Sequence, residues 1–348
     1  MTTNVPLLID CDTGIDDALA LLLACASPDA DIRAVTCVAG NVDARQVAVN
    51  TRAVLELAGR GDVEVALGRE VPLLRSLVTT PETHGGQGLG DAALPPPARE
   101  PSARHAADLI IEEAMARPGE LTLLTLGPMT NLAVAVLREP TLPKLLRRLV
   151  LMGGAYGTAG NTTPVSEWNV AVDPEAMAVV LRAWSADGPV AWGDEPPSRP
   201  LALGLDVTEQ ARFLPEHLER LAARAGCAPD GTRVEGSGTR DAIVGFVADA
   251  LAYYFRFHET FDGFRGAFIH DPLALAAALD PALVTTRALT VEVHLGGMAD
   301  GQTIADRRGH WGRAPNLDVA VAADVPRFLD RFIDRVGGLA VSLAGVAR

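Results

Sequence analysis

The sequence predicts an α/β fold with an open, mostly parallel sheet flanked by helices. The first observation is a short apolar run at residues 5–9, which leads into an acidic turn and then into a run of strong helix formers at 18–26. The second is that short apolar segments alternate with longer helical patterns through the first half of the chain. Because parallel strands need crossover connections, this alternation is typical of a parallel sheet covered by helices on both faces.

The remaining elements follow from composition and from the residues at their ends. Strands are predicted where a short apolar or β-branched run meets turn residues, and helices where apolar residues recur with helical spacing. The predicted strands are 32–38, 63–67, 121–126, 149–152, 201–207, 289–295, 303–305 and 318–321. The predicted helices are 44–57, 103–116, one that ends at 137, 173–183, 215–225, 241–257, 270–279 and 325–336.

Length and charge limit the class of protein. The chain has 348 residues, 48% of them hydrophobic, and no linker clearly divides it, so we expect a single domain over residues 1–348. Within it, residues 187–200 have the composition of an insertion, and residues 210–268 are expected to form a mobile helical segment over the active site. The net charge of −14 and the lack of a long basic patch argue against nucleic acid as a partner.

The cysteines and the apolar runs indicate the compartment. Cys11, Cys25, Cys37 and Cys227 show no paired spacing, so we expect reduced thiols and a cytoplasmic protein. The first residues carry no Lys or Arg, and no signal peptide is visible. No apolar run approaches the roughly 20 residues that span a bilayer, so no membrane partner is expected.

The acidic turn is the most informative stretch of the chain. Asp10, Asp12, Asp16 and Asp17 fall between the end of the first strand and the start of the first helix. Their mutual repulsion calls for a cation, and ligands that are all oxygens favour calcium or magnesium over zinc. The alternative is a helix cap with solvated acids. It fits poorly, because two of the acids follow an apolar strand directly.

Other polar residues also follow predicted strands or open predicted helices. Each is weak evidence alone: Asn41 fits a turn, His84 a solvated loop, and Asp271 a helix start. In a parallel sheet, however, the carboxyl ends of the strands share one edge, where ligands bind. We therefore expect these residues to converge with the acidic turn and with the segment 161–169.

A second interpretation of the first strand is a haloacid-dehalogenase-type phosphatase. Such enzymes use one aspartate as nucleophile and a second as acid/base, here Asp10 and Asp12, together with magnesium and usually a lysine. The chain has a single lysine, Lys144, beside Arg147 and Arg148. A phosphate site built on arginine alone is less favoured, and this interpretation leaves the segment 161–169 without a role.

The motifs taken together resemble the inosine/uridine-preferring nucleoside hydrolases almost from end to end. The acidic turn, DCDTGIDDA at 10–18, looks like the amino-terminal signature of that family. LGPMTN at 126–131, NTTPVSEWN at 161–169 and HDP at 270–272 follow in the family's order. Further blocks that resemble the family lie at 40–42, 84–90, 152–154, 173–176, 204–208 and 301–303.

The resemblance implies a Rossmann-like nucleoside hydrolase fold, a bound Ca2+ ion and hydrolysis of the N-glycosidic bond of ribonucleosides, as in nucleoside salvage. The implied calcium ligands are Asp12, Asp17, Asp271 and the backbone carbonyl of Leu126. Asp12 is the implied general base, and His270 is the candidate acid for the leaving base. The implied substrate-binding residues are Asp16, Asn41, His84, Asn161, Glu167 and Asn169. We also expect a homodimer or homotetramer.

Two features leave alternatives open. Trp168 stands where a smaller aromatic residue is common in the family. The aromatic residues of the 241–257 helix and the loop after it either stack on the nucleobase or pack in the core, and they are Tyr253, Tyr254, Phe255, Phe257 and His258. The alternative to an enzyme is a nucleoside- or ribose-binding protein that keeps the pocket without turnover.

Overall fold

An eight-stranded sheet forms the centre of the computed structural model, which describes residues 4–190, 192, 195–234 and 240–346. Its strands, in chain order, are β1 (Val5–Cys11), β2 (Ala30–Cys37), β3 (Glu64–Leu67), β4 (Thr122–Thr125), β5 (Arg148–Met152), β6 (Leu201–Leu203), β9 (Val284–Leu289) and β12 (Leu317–Ala323). Two short ribbons lie outside it, formed by β7 (Arg212–Phe213) with β8 (Ala267–Phe268) and by β10 (Val291–Val293) with β11 (Thr303–Ala305).

The strand order decides where a ligand can bind. The order is β3-β2-β1-β4-β5-β6-β12-β9, and every neighbouring pair is parallel except β12 with β9. From β1 the chain builds outward through β2 and β3, and it then returns to β4 on the other side of β1. The boundary between β1 and β4 is therefore a topological switch point, beyond which open α/β sheets bind their ligands. The acidic turn follows β1 at this boundary.

Helices cover both faces of the sheet. The buried apolar residues form two large clusters. One contains those of α1, and the other contains most of those of α4, α5 and α8. The helices up to β6 are α1 (Ile15–Cys25), α2 (Ala44–Leu57), α3 (Pro81–His84), α4 (Ala106–Ala116), α5 (Thr130–Arg138), α6 (Leu142–Leu145), α7 (Trp168–Val172) and α8 (Pro174–Ala183). The later helices are α9 (Leu205–Thr208), α10 (Pro215–Arg224), α11 (Ala242–Phe261), α12 (His270–Leu279) and α13 (Val325–Val346).

Most predicted elements are present, and α2 and α12 have the predicted bounds. The strand predicted at 201–207 is wrong in its second half, because β6 ends at Leu203 and α9 begins at once. The strand predicted at 289–295 is wrong as one element, since β9 ends at Leu289 and β10 pairs with β11 instead of joining the sheet. The last helix continues past its predicted end at 336, where it packs against α10.

The structure does not test three of the predictions, which are the single domain, the insertion at 187–200 and the mobility of the segment 210–268. The candidate insertion at 187–200 includes residues 191, 193 and 194, which lie outside the described residues, as do residues 235–239 of the helical segment 210–268. The single domain and the mobility of that segment stay predictions. In the part of the chain that the structure describes, no helix has the length and apolar character needed to cross a membrane.

Candidate active site

The acidic turn is closed by hydrogen bonds to one of its own carboxylates. Gly14 and Asp12 donate their backbone N–H groups to the two carboxylate oxygens of Asp17, at 2.9 and 3.2 Å. Asp17 lies in the first turn of α1, where the positive end of the helix dipole favours an acid. The turn therefore presents Asp12 and Asp16 with a fixed backbone, and Asp17 forms the base beneath them.

Neighbouring strand ends complete this arrangement. After β2, Asn41 donates its backbone N–H to Asp12 Oδ2 at 2.8 Å and its side-chain amide to Asp17 Oδ2 at 3.2 Å. After β4, the carbonyl of Leu126 accepts a hydrogen bond from the Asn169 side-chain amide at 2.6 Å. The start of α12 brings a carboxylate oxygen of Asp271 within 4.8 Å of one of Asp17. Residues from five separate segments thus meet at the switch point, as the sequence predicted.

A cavity of about 520 Å³ opens above these groups. All the predicted site residues line it except Asp17, which lies buried beneath its floor. Those lining residues are Asp12, Asp16, Asn41, His84, Leu126, Asn161, Glu167, Asn169, His270 and Asp271. Among the described residues no Lys or Arg lines this cavity. It is therefore an anionic pocket of a size that suits a small organic ligand.

Burial has a strong effect on these carboxyl groups. Burial, and then the charge of Asp17, raises the pKa of Asp16 to about 8 and raises the pKa of Asp12 well above its usual value. Burial also raises the pKa of Asp271, with the charges of Asp16 and Asp17 as the next causes. Several carboxyls in one buried site cannot all ionise unless a positive charge joins them.

The donor set fits a hard divalent cation. Asp16, Asp17 and Asp271 each offer a carboxylate oxygen, and the three oxygens lie within 4.8 Å of one another. Asp12 is next to this group, because its backbone N–H donates to the Asp17 carboxylate. The Asn41 side-chain oxygen is buried and has no hydrogen-bond partner among the described residues. Oxygen-only ligands of this kind suit calcium or magnesium. The compact group includes Asp16, which the sequence assigned to the ribose, so the choice of ligands stays a prediction.

The segment 161–169 reaches the cavity partly as a helix. The spacing of Glu167 and Asn169 suits one face of an extended segment, but Glu167 is the N-cap of α7 and Asn169 lies within that helix. The Glu167 carboxylate accepts backbone N–H groups from Asn169 at 2.8 Å and from Gly154 at 2.8 Å. Asn161 accepts a hydrogen bond from the backbone of Trp168 at 3.0 Å. The helix cap keeps both predicted side chains in the cavity.

Aromatic residues of α11 form part of the cavity wall. Tyr254, Phe257 and His258 line it, whereas Tyr253 and Phe255 do not. Tyr253 instead donates its hydroxyl to the carbonyl of Pro81 at 2.9 Å, and Phe255 packs in the core. Of the five residues that the sequence left between base contact and core packing, three therefore lie at the cavity and two have structural contacts.

Some lining residues were missed at the sequence level. The Asp262 carboxylate forms a hydrogen bond with His258 Nδ1 at 2.7 Å. Asp262 follows His258 by four residues at the end of α11, and this helical spacing could have identified it from the sequence. Phe261 ends α11 four residues after Phe257, and that helical spacing was also a signal. Glu209 and Phe268 reach the cavity through packing of distant segments, and nothing in their local sequence marks them.

Two buried histidines face the cavity in neutral form. His84 Nδ1 accepts the backbone N–H of Ile15 at 3.1 Å, and His270 Nδ1 lies 2.8 Å from the Thr208 hydroxyl. Burial is the main cause that lowers the pKa of each to about 3. Both rings can therefore donate or accept hydrogen bonds near neutral pH without carrying charge.

Comparison with known proteins agrees with this geometry. The family described as inosine-uridine preferring nucleoside hydrolase matches residues 7–330. The chain belongs to this nucleoside hydrolase family. It is 35% identical over 334 residues to the pyrimidine-specific ribonucleoside hydrolase RihA of Citrobacter koseri, which covers 95% of this chain and 98% of the relative.

Solved structures of nucleoside hydrolases are also similar. A purine-preferring ribonucleoside hydrolase from Gardnerella vaginalis superposes with a TM-score of 0.85 at 31% identity, covering 97% of this chain and 99% of that one. A plant nucleoside hydrolase gives 0.84 at 30% identity, covering 96% and 99%. The nucleoside hydrolase fold predicted from the sequence is confirmed, and the family supports an N-glycosidase of ribonucleosides.

The geometry also argues against the phosphatase interpretation. Asp10, its proposed nucleophile, is fully buried and does not line the cavity. Its Oδ1 accepts hydrogen bonds from Thr36 at 2.6 Å and from Asn131 at 2.8 Å, so this carboxyl supports the turn from below. In the nucleoside hydrolase, Asp10 is a structural residue.

Gly40 tests how closely the position of Asp12 must be held. A Cβ at Gly40 would overlap the Asp12 carboxylate, so Gly40→Ala must displace that group. We expect kcat/KM for uridine and inosine to fall about 100-fold, the scale of a misplaced reacting group. The control is Gly86→Ala, since a Cβ there has nothing within 4 Å. Equal activity of the two variants would contradict a fixed Asp12.

Proposed function

We propose that the protein hydrolyses ribonucleosides with Asp12 as the general base and with calcium held by Asp12, Asp17, Asp271 and the carbonyl of Leu126. The observation that carries the proposal is the convergence of these groups beneath one anionic cavity at the switch point. When bound, calcium would orient a water molecule and lower its pKa. Asp12 supports the base role because it lines the cavity with its Oδ2 already fixed by the Asn41 backbone.

The residues around the inner cavity suit a ribose. Asp16, Asn41, Asn161, Glu167 and Asn169 offer carboxylate and amide groups that bind hydroxyls. Glu167 is held by several backbone N–H groups, so its position costs little ordering when the substrate binds. Cleavage of the C1′–N bond passes through an oxocarbenium-like transition state, and nearby carboxylates favour the positive charge that develops on the sugar.

The leaving base lies at the aromatic end in this proposal. His270 lines the cavity, and the Thr208 hydroxyl can donate to its Nδ1, which leaves the Nε2–H available for the base. His84 lies 5.5 Å from Tyr254, centroid to centroid, on the same side. General acid–base catalysis contributes typically about 10²–10⁴-fold, or roughly 3–5 kcal/mol. Binding and orientation of the ribose must therefore supply much of the remaining acceleration.

The expected homodimer or homotetramer and the cytoplasmic location stay predictions.

Asp12→Asn tests the general base. The amide keeps the shape of the side chain but cannot take a proton, so we expect release of ribose from uridine and inosine to fall by at least about 10²–10⁴-fold. The thermal midpoint should change little, because the amide fills the same space and its oxygen can still accept the Asn41 backbone N–H. Asp62→Asn, at an exposed ion pair with Arg60, is the matched control and should keep wild-type turnover. Near-normal turnover of Asp12→Asn would refute the assignment.

His270→Ala tests the leaving-group role. The variant should lose about 100-fold more kcat/KM with inosine and uridine than with p-nitrophenyl riboside, whose leaving group needs no proton. Steady-state kinetics on the three substrates measures the difference, and His310→Ala at the exposed His310 is the control. Equal losses on all three substrates would remove His270 from this role.

A further inference from the structure

A second cavity, of about 480 Å³, lies beside the candidate active site and shares Glu209 with it. Unlike the first cavity it is lined by arginines, Arg212, Arg287 and Arg307, together with the acids Asp206 and Glu209. We call it the arginine pocket. Part of its lining is apolar, formed by Leu205, Leu289, Val319 and Val321. In a chain with 44 acidic and 30 basic residues, a lining of three arginines and two acids is a local excess of basic side chains.

Two of the arginines are held in place by the backbone. The Arg307 guanidinium lies against Gly157, in the space that a Cβ there would fill. Arg287 donates from Nη2 to the backbone carbonyl of Arg307 at 2.6 Å. That bond uses one of the N–H groups of Arg287 and fixes the guanidinium at the wall of the pocket. The site is therefore built before a ligand arrives.

The positive charge is only partly neutralised. Arg307 pairs with Asp206 at 3.5 Å, but the other Asp206 oxygen accepts the backbone N–H of Tyr156 at 2.8 Å. Arg212 stacks over the rings of Phe264 and Phe268, at 4.8 and 5.5 Å, rather than against a carboxylate. Among the ion pairs of the described residues, neither Arg212 nor Arg287 has an acidic partner within 4.0 Å. Most of their N–H donors remain available.

We propose that the arginine pocket binds a small phosphate-bearing compound. Guanidinium groups match phosphate oxygens with paired N–H donors, and they form stronger hydrogen bonds to a charged acceptor than to a neutral one. The apolar lining and the volume leave room for an organic part beside the phosphate. Glu209 lines both cavities, and Asp206 lies beside Arg307, so both acids repel an anion at that side of the pocket. We therefore place the phosphate toward Arg287, which has no acidic partner within 4.0 Å among the ion pairs of the described residues.

This assignment separates the two cavities by charge. The candidate active site has no Lys or Arg among its described lining residues and carries several carboxyl groups, which disfavours a phosphate there. A neutral nucleoside and a phosphate compound would therefore occupy different cavities of the same molecule.

The test is isothermal titration calorimetry on the full chain with inorganic phosphate, ribose 5-phosphate and ribose as probes. We expect both phosphate probes to bind in a way that depends on the arginines, whereas any heat from ribose, which the active site is proposed to bind, should be the same in wild type and Arg287→Gln. Arg287→Gln should weaken phosphate binding about 10-fold, whereas Arg308→Gln, at the exposed neighbour of Arg307 that does not line the pocket, should leave it unchanged. Tighter binding of the ester than of inorganic phosphate assigns the pocket to phosphate esters, and equal binding assigns it to free phosphate.

Asp12→Asn separates this site from the candidate active site. Phosphate binding that survives in Asp12→Asn and weakens in Arg287→Gln supports the arginine pocket. The proposal is overturned if neither phosphate probe binds at millimolar concentration, if Arg287→Gln and Arg308→Gln bind equally, or if Asp12→Asn alone abolishes binding. None of these outcomes depends on the catalytic roles proposed above, because the readout is binding rather than turnover.

Discussion

The structure depends on the repulsion between carboxyl groups that are buried together at the switch point of the sheet. Asp12, Asp16, Asp17 and Asp271 are almost fully buried, and burial raises the pKa of each. Neighbouring negative charges raise the pKa further at Asp12, Asp16 and Asp271. Burying several carboxylates together lowers the stability of the folded protein unless a cation shares the site. The same electrostatic cost that makes the arrangement unfavourable by itself makes it a strong binding site for a hard divalent ion.

The surrounding fold holds these groups together with hydrogen bonds from backbone N–H groups and from the side-chain amides of Asn169 and Asn131. Asp17 closes its own turn, Asn41 fixes Asp12, and Asn169 reaches the Leu126 carbonyl. Below them, Asn131 connects Asp10 to the carbonyl of Cys37 at 3.0 Å, and so ties β1 to the end of β2. Because rigid strands and helix starts supply nearly all of these contacts, the carboxyls cannot move apart to relieve their repulsion.

Much of the fold and of the inner site was predictable from the sequence, for a physical reason. The acidic turn joins an apolar strand to a strong helix, so its residues had to lie at the carboxyl edge of a parallel sheet. The helical spacing of 44–57 and 270–279 was equally direct, and both helices have the predicted bounds. Local pattern was less useful at α7, where the Glu167 cap starts a short helix without a periodic apolar face.

The outer cavity could not be predicted in the same way. Glu209 and Phe268 arrive from segments far apart in the chain, and only tertiary packing places them beside α11. The arginine pocket has the same origin, since Arg287 lies on the edge strand β9 that local patterns did not predict. Residues of this kind depend on which elements pack together, and that information is not local.

The most direct test of this account is a crystal structure of the protein grown with calcium. We predict a single ion with the carboxylates of Asp12, Asp17 and Asp271 and the carbonyl of Leu126 at about 2.3–2.6 Å. A structure in which saturating calcium leaves these four groups without a shared ion, while the crystallised enzyme still releases ribose, would contradict it.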